Sequence, residues 1–360
     1  MITDILHVVQ TTSPATWGEL VSRYVGVEDG VRYIQPYIED HLHEGNSTTT
    51  RRHLELPGGL DLPALRTGAD LIVVAMPAAR VSGLPETRSL VMPLGLRFVV
   101  DFKRSPGPSP RERKRQRQRV RRYGYDFELS REPADFTWFY HHLHVPTMNA
   151  RHGERQRSLP EEDARTTIFN NGFLFFVTAN GARVAGVLCA LDHAQNSCDA
   201  RLVGWLNGDP THHKQEALKT ANHFLLDWAR EAGLSYVDFQ GCEPFVAKGT
   251  YQSKRHLGGQ VLLPKPPRDG LRLWVHIARD RPEIRDFLVA HPPVRLDGQG
   301  ALRATYFHDT QRPARWDLGH ACEGIEGADL VDLDVFLGSV EIRRKRDIET
   351  CRVWSAACGE

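Results

Sequence analysis

The chain has 360 residues, 41% hydrophobic and 25% charged, an ordinary globular balance with room for two domains that each bury a core. A formal net charge of +1 excludes a global field for polyanions, so any attraction to nucleic acid has to be local. The N-terminus lacks the basic-then-apolar order of a signal peptide, no apolar run approaches a membrane span, and the six cysteines form no CxxC pair, which predicts a cytoplasmic, non-membrane protein with reduced thiols.

In chain order, residues 17–24 read as a helix and two β-prone runs follow at 70–76 and 96–102. Turns such as Pro57-Gly58-Gly59 punctuate this region, which carries no catalytic signature. Next comes SPGPSP, then RERKRQRQRVRRYGY. Ser109 suits an N-cap, Pro110 the first helical position and Glu112 the third residue of a capping box, while Gly124 stops the helix. An aromatic-rich helix at 135–148 is expected to break at Pro146. Strands at 173–178 and 183–191 flank Asn180-Gly181, a hairpin signal, and 201–206 reads as a third strand. The helix at 215–231 turns Leu218, Ala221, Leu225, Trp228 and Ala232 inward, Gly233 ends it, and a short strand follows at 235–239.

Antiparallel strands followed by a strand–helix–strand crossover predict an α/β (α+β) fold of mixed, mostly antiparallel sheets flanked by helices. The expected organisation is a half-domain at 1–104, a basic connecting helix at 105–124, a catalytic domain at 125–310 and an extension at 311–360.

Chemistry concentrates after the strand at 235–239, in YVDFQGCEPFVAKGTYQSKRHLGG. Asp238, Glu243, Lys248, Tyr251, Lys254 and Arg255 fall within eighteen positions. In α/β sheets, ligands bind at the carboxyl ends of strands. Side chains of these types can take a proton from a reacting group and steady a developing anion. Glu243 and Asp238 are the nearest carboxylates, Tyr251 is the candidate donor, and Lys248, Lys254 and Arg255 would hold a phosphate or carboxylate. The competing reading has Asp238 capping a turn and the cations on a solvated loop. Cys242 reads as a small buried thiol rather than a nucleophile. His141, His142 and His144 crowd one helix. His142 and His144 are candidate acid/base groups, with Tyr140 and Arg151 as substrate contacts, against a plainer role in packing or at the surface. No further ligands stand at a metal-binding spacing, so no metal is expected.

From residue 103 to 122 there are ten Lys/Arg and one acid, and the cations wrap most of the helix. Repulsion between like charges at i,i+4 costs about 0.2–0.5 kcal/mol per pair, and a phosphate backbone supplies a reason to bear it. A solvated linker helix paired with acids elsewhere is the alternative.

The order of helix, antiparallel meander and strand–helix–strand resembles the GNAT acyltransferase fold. More specifically, the chain resembles the Fem-type aminoacyl transferases, in which two such domains stand in tandem with a basic helical segment near their junction. The residues that carry this are the basic helix at 111–122 ending in Tyr123-Gly124, the helix–Gly–strand–Asp–Phe unit at 217–239, and the Gly249…Tyr251…Lys254-Arg255…Gly258 loop. The resemblance implies tandem GNAT-like domains and no bound cofactor. Aminoacyl-tRNA would be the donor, and the acceptor an amine on a peptide, cell-wall precursor or secondary metabolite. Arg111, Lys114, Arg115, Arg117, Arg119, Arg121 and Arg122 would grip tRNA. The chain departs from acetyl-CoA-dependent GNAT enzymes where their glycine-rich phosphate loop should be. It reads LNGDPTHHKQEAL, with one glycine, an acid and a proline. An acyl-CoA-dependent N-acyltransferase and a non-catalytic nucleic-acid-binding protein remain the rival readings.

Overall fold

The computed structural model describes residues 5–43, 47–55, 60–153 and 158–338; Pro57-Gly58-Gly59, Cys351, Cys358 and the extension beyond 338 lie outside them. The described residues form a mixed α/β architecture with sheets of six, seven and three strands, mostly antiparallel and flanked by helices. Two compact units share the chain: Met1–Leu96, Cys242–Gln252 and Leu263–Glu360 form one, Arg97–Gly241 and Ser253–Leu262 the other. The sequence-based span 125–310 is therefore divided between both units.

The chain begins with β1 (Ile5–Ala15), β2 (Gly18–Gly26), α1 (Glu28–Tyr33), α2 (Gln35–Leu42), β3 (Thr48–Glu55), α3 (Leu62–Arg66), β4 (Leu71–Pro77), α4 (Ala78–Val81) and β5 (Ser89–Pro93). It continues through β6 (Leu96–Asp101), α5 (Pro110–Tyr123), β7 (Tyr125–Ser130), α6 (Pro133–Phe139), α7 (Val145–His152), α8 (Glu161–Thr167), β8 (Gly172–Ala179), β9 (Ala182–Asp192) and β10 (Ser197–Trp205). Then come α9 (Pro210–Lys214), α10 (Ala217–Glu231), β11 (Tyr236–Cys242), α11 (Gly249–Arg255) and β12 (Gln260–Leu262). The last described elements are β13 (Leu271–Ile277), α12 (Pro282–Ala290), β14 (Val294–Leu296), β15 (Leu302–His308), β16 (Ile325–Asp332) and α13 (Leu333–Phe336).

In the first unit the sheet order is β3-β1-β2-β4-β13-β5, with β14-β15-β16 as a separate sheet. Residues 17–24, expected as a helix, instead form β2. Leu20, Ser22 and Tyr24 alternate inward with half-buried Val21 and Arg23, a period of two, and a tight turn pairs Ala15 with Gly18. α2 and α12 supply Tyr37, Ile38, Ile284 and Phe287 to a core shared with Val73, Leu273 and Phe307.

The second unit is ordered β12-β6-β11-β10-β9-β8-β7. The Asn180-Gly181 turn has φ of 51° and 83°, as a two-residue hairpin requires. β10 pairs in parallel with β11 at three positions only, Ser197↔Tyr236, Cys198↔Val237 and Asp199↔Asp238. A bulge interrupts β10 between Ala200 and Leu202, just beyond the last of these pairs. The helix expected to break at Pro146 does not break. α6 passes through a π-helical turn, Tyr140–His144, into α7, and this wide turn accommodates the proline in the first turn of α7. That helix lies directly on β10 because Gly204 has no side chain: a Cβ there would meet the Leu143 carbonyl oxygen at 2.4 Å. Phe136, Phe139 and Leu143 pack on Leu174, Phe176 and Leu188. α10 buries Ala221 and Leu225 as expected, whereas Ala232, past its end, is exposed.

α5 follows its sequence signals at both ends. The Ser109 hydroxyl accepts from the Glu112 N–H, and Gly124 ends the helix with a φ of 60°. Half of the capping box is diverted: the Glu112 carboxylate turns away from the helix start to Lys219 Nζ at 2.8 Å and His223 Nε2 at 3.4 Å on α10. Glu112, Gln116 and Arg119 form the buried face. The nearby His223 imidazole and then Lys219 hold the Glu112 carboxyl well below its ordinary value of 4.5, against burial. A depressed carboxyl contributes stability above its unfolded value and loses it as pH falls through the folded one. Glu112→Gln should therefore cost about 1–3 kcal/mol at pH 7 and flatten the loss of stability below about pH 4.5, as read by urea unfolding across pH.

Candidate functional site

The stretch singled out in the sequence is divided by the fold: Asp238, Lys254 and Arg255 belong to the second unit, while Glu243, Lys248 and Tyr251 belong to the first. Asp238 is fully buried at the last position of β11 paired with β10. Its Oδ2 accepts from Arg97 Nε at 2.7 Å and its Oδ1 from the Gln240 N–H at 2.8 Å, where the backbone turns through a positive φ of 61°. Lys254 Nζ donates to the carbonyls of Gly241 at 2.8 Å and Gln240 at 3.3 Å. Asp238 and Lys254 thus fix the end of β11 from two sides, the turn-capping role that competed with a catalytic one for Asp238. Arg255 lies beside His256, with Nη2 3.2 Å from its Nε2.

In the first unit Tyr251 is fully buried and its hydroxyl donates to the His320 carbonyl at 2.9 Å. That hydroxyl anchors the loop between β15 and β16, whereas the sequence reading had it donating to an oxyanion or leaving oxygen. Glu243 and Lys248 remain partly open and pair at 3.2 Å. They adjoin a group that sequence reading missed. Tyr37 stacks on Phe245 at 4.4 Å, Lys248 Nζ sits 4.9 Å over the Tyr37 ring, and the Tyr37 hydroxyl lies 2.7 Å from His291 Nδ1. Exposed His41 stands 4.4 Å from the His291 ring. Burial, then the charges of His41 and Arg315, push the His291 imidazole down to about 4, so it is neutral at pH 7. Burial, then Glu243, push the Tyr37 hydroxyl up. A neutral imidazole, a phenol and a Glu–Lys pair can accept, pass and donate a proton. Residues 37, 243 and 291 come together only through packing of α2, α12 and the loop after β11.

The histidines of the second unit separate. His142 is exposed and its ring lies 5.4 Å from Trp138, and His141 pairs with Glu161 at 2.9 Å. His144 is buried, its Nδ1 is 2.9 Å from the Val203 carbonyl, and burial pushes its pKa down. The sequence reading had it as a candidate acid/base group. The Thr147 hydroxyl donates to the Trp205 carbonyl and accepts from the Trp205 N–H. His144 and Thr147 therefore occupy the β10 edge where β11 departs. Tyr140 is also spent, its buried hydroxyl donating to the Leu159 carbonyl at 2.8 Å. Arg151 is exposed, 5.7 Å over Trp205.

On α5 the structure exposes Arg111, Arg113, Lys114, Arg115, Arg117, Arg121 and Arg122 and buries Arg119. Arg119 donates to Glu216 through Nε and Nη2, so the expectation that it touches a phosphate is corrected. Asp209 caps α9 with its own carboxylate, accepting from the Thr211 N–H at 2.7 Å, and fills the helix start a phosphate would need. Gly208 serves contact with α7: a Cβ there would meet the Pro146 carbonyl oxygen at 2.6 Å. Among the described residues no group of three or more His, Cys, Asp or Glu is placed to hold a metal, and no helix is long and apolar enough to cross a membrane.

No protein-family model matches the sequence, and no curated protein matches it. Among solved structures, the chain is similar to L-PGS from Bacillus licheniformis at 14% identity and a TM-score of 0.37, over 78% of this chain and 88% of that one. It is similar to FemX at 11% identity and a TM-score of 0.37, over 73% and 83% of the two chains. A GCN5-related N-acetyltransferase-like protein from Streptococcus suis is similar at 10% identity and a TM-score of 0.30, over 74% and 82%.

The geometry separates two carboxylates that the sequence placed together. Asp238→Ala deprives half-buried Arg97 and the Gln240 N–H of their shared acceptor and should cost about 1–3 kcal/mol in urea unfolding. Glu243→Ala, at a partly open pair, should cost about 1 kcal/mol or less. Equal losses would mean that Asp238 is not the structural one of the two.

Proposed function

We propose that this chain is an amide-bond-forming acyltransferase of GNAT/Fem type, taking an aminoacyl group from aminoacyl-tRNA and passing it to an amine acceptor. The observation that carries the reading is α5: seven exposed cations on a helix whose inner face is fixed by a buried carboxylate. A free linker helix has no need of such anchoring, whereas a phosphate-binding one gains from a fixed charge pattern.

Two observations favour an RNA-borne ester over a thioester of CoA as the donor. An extended, amide-bearing arm entering between β10 and β11 would seek the β10 edge, and His144 and Thr147 already bond Val203 and Trp205 there. A pyrophosphate would seek the start of α9, and Asp209 occupies it. In the proposed chemistry His291, with Tyr37, accepts the proton of the attacking amine. The Glu243–Lys248 pair orients the acceptor, and the ester oxygen of the tRNA ribose leaves as its hydroxyl. No covalent intermediate on the protein is required, since positioning carries direct aminolysis.

The decisive measurement is binding of charged and uncharged bulk tRNA across a salt series, with wild type and the triple variant Arg117→Glu, Arg121→Glu, Arg122→Glu. Tighter binding of the charged form is expected, with the slope of log K against log salt smaller by about 2–3 in the variant. His291→Gln should leave tRNA affinity unchanged and lower transfer by about 10²–10⁴. No preference for charged tRNA, or a variant that binds as wild type does, would overturn the reading and return acyl-CoA donors to first place.

A further inference from the structure

The loop between β15 and β16 holds an aromatic side chain that the chemistry above does not use. Trp316 is 49% exposed although its ring lies on buried Tyr306, with centroids 4.3 Å and planes 29° apart. Tyr306 is the one ring it contacts among the described residues, so one face of the indole is backed and the other meets solvent. The backing is fixed: the Tyr306 hydroxyl donates to the Leu318 carbonyl at 2.5 Å and lies 3.1 Å from His320 Nδ1. The Trp316 N–H donates to the Ala314 carbonyl at 2.9 Å and the Leu318 N–H to that of Arg315 at 3.0 Å, a tight turn that displays residue 316. A single exposed apolar side chain is ordinary on a protein surface, and Trp17, exposed at the β1–β2 turn, has no ring beneath it among the described residues. An indole held rigid from behind is a ready stacking surface.

The loop is tied to the group that handles the proton. Tyr251 and Gln252 of α11 donate to the carbonyls of His320 and Gly319, at 2.9 Å each, and the Gln252 N–H bonds back to Lys248. The Thr305 N–H donates to the Pro293 carbonyl at 2.8 Å, which sets Tyr306 beside the segment that begins at His291. After burial and His41, the charge of Arg315 is the next to push the His291 imidazole down, and Trp316 follows Arg315 in the chain. Arg315 itself donates to both carboxylate oxygens of Asp317 at 2.7 Å. The charges flanking the indole therefore cancel, and the turn offers a flat, neutral surface rather than a grip on phosphate.

We propose that Trp316 stacks the 3′-terminal nucleobase of the RNA donor, a purine whose two fused rings match the indole, and so sets the ester beside His291. An ester on the terminal ribose shares that sugar with the base, so holding the base locates the reacting carbon. This rests on the RNA-donor reading above and adds the contact that would position the donor's reacting end.

The test is binding of bulk uncharged tRNA, intact or with its 3′-terminal adenosine removed, to wild type, Trp316→Leu and Trp316→Phe. Removing the adenosine should weaken binding to wild type by about tenfold, and Trp316→Leu should weaken intact tRNA by the same factor. The truncated tRNA should bind wild type and Trp316→Leu alike, because the two changes delete one contact. Trp316→Phe, which keeps an aromatic face, should stay within about threefold of wild type. The loss in Trp316→Leu should be equal at low and high salt, unlike that of the α5 triple variant. Wild type that binds both tRNAs equally, or an adenosine effect that persists in Trp316→Leu, overturns the stacking role and leaves the RNA-donor reading standing. No tRNA binding by wild type overturns both.

Discussion

Seven exposed cations on a fourteen-residue helix repel one another and offer no apolar face to a sheet, so what holds α5 in place is a carboxylate taken out of water. Glu112 contacts Lys219 and His223 on α10, while Arg119 bonds Glu216 and Gln116. Removing any one partner strands a buried charge, whereas the intact group fixes rotation and register of the helix at once. The consequence for binding is directional. One side of α5 is committed to the fold, and the charge that remains outside is held in a single pattern rather than averaged over a flexible linker.

The same economy of groups appears where β10 and β11 part. Parallel strands that diverge leave backbone donors and acceptors with no ladder partner, and such groups must be met by side chains, water or ligand. Here the chain meets them itself at Val203 and Trp205, using His144 and Thr147 from the helix that Gly204 allows to lie against the strand. Asp209 does likewise at the start of α9. The backbone groups at both places are thus met from within the chain.

Much of the second unit was legible in the sequence, because its signals are local. Ser109-Pro110 and Gly124 delimit α5, Asn180-Gly181 closes the hairpin, and the apolar period of α10 marks its inner face. Residues 17–24 misled because Trp17, Leu20, Val21 and Tyr24 also fit a helical period, and pairing with β1 decided for a strand. The density of polar residues at 238–255 was visible, but their employment was not. Whether Asp238 meets Arg97 or a substrate, and whether Tyr251 donates to a ligand or to His320, depends on partners 141 and 69 residues away. Tyr37 and His291, separated by 254 positions, gave no signal in any window of sequence.

The route of the chain through the first unit bears on how the protein is made. β13 lies between β4 and β5 in the sheet and pairs with both, yet it is synthesised after the whole of the second unit. Until residue 277 has left the ribosome, β4, apolar along nearly its whole length, has an open edge, while the second unit already has its sequence through β12 to residue 262. The nascent chain therefore carries a folded insert ahead of an unfinished host sheet, and the interval before β13 arrives is the period of greatest exposure to mispairing and to chaperone capture.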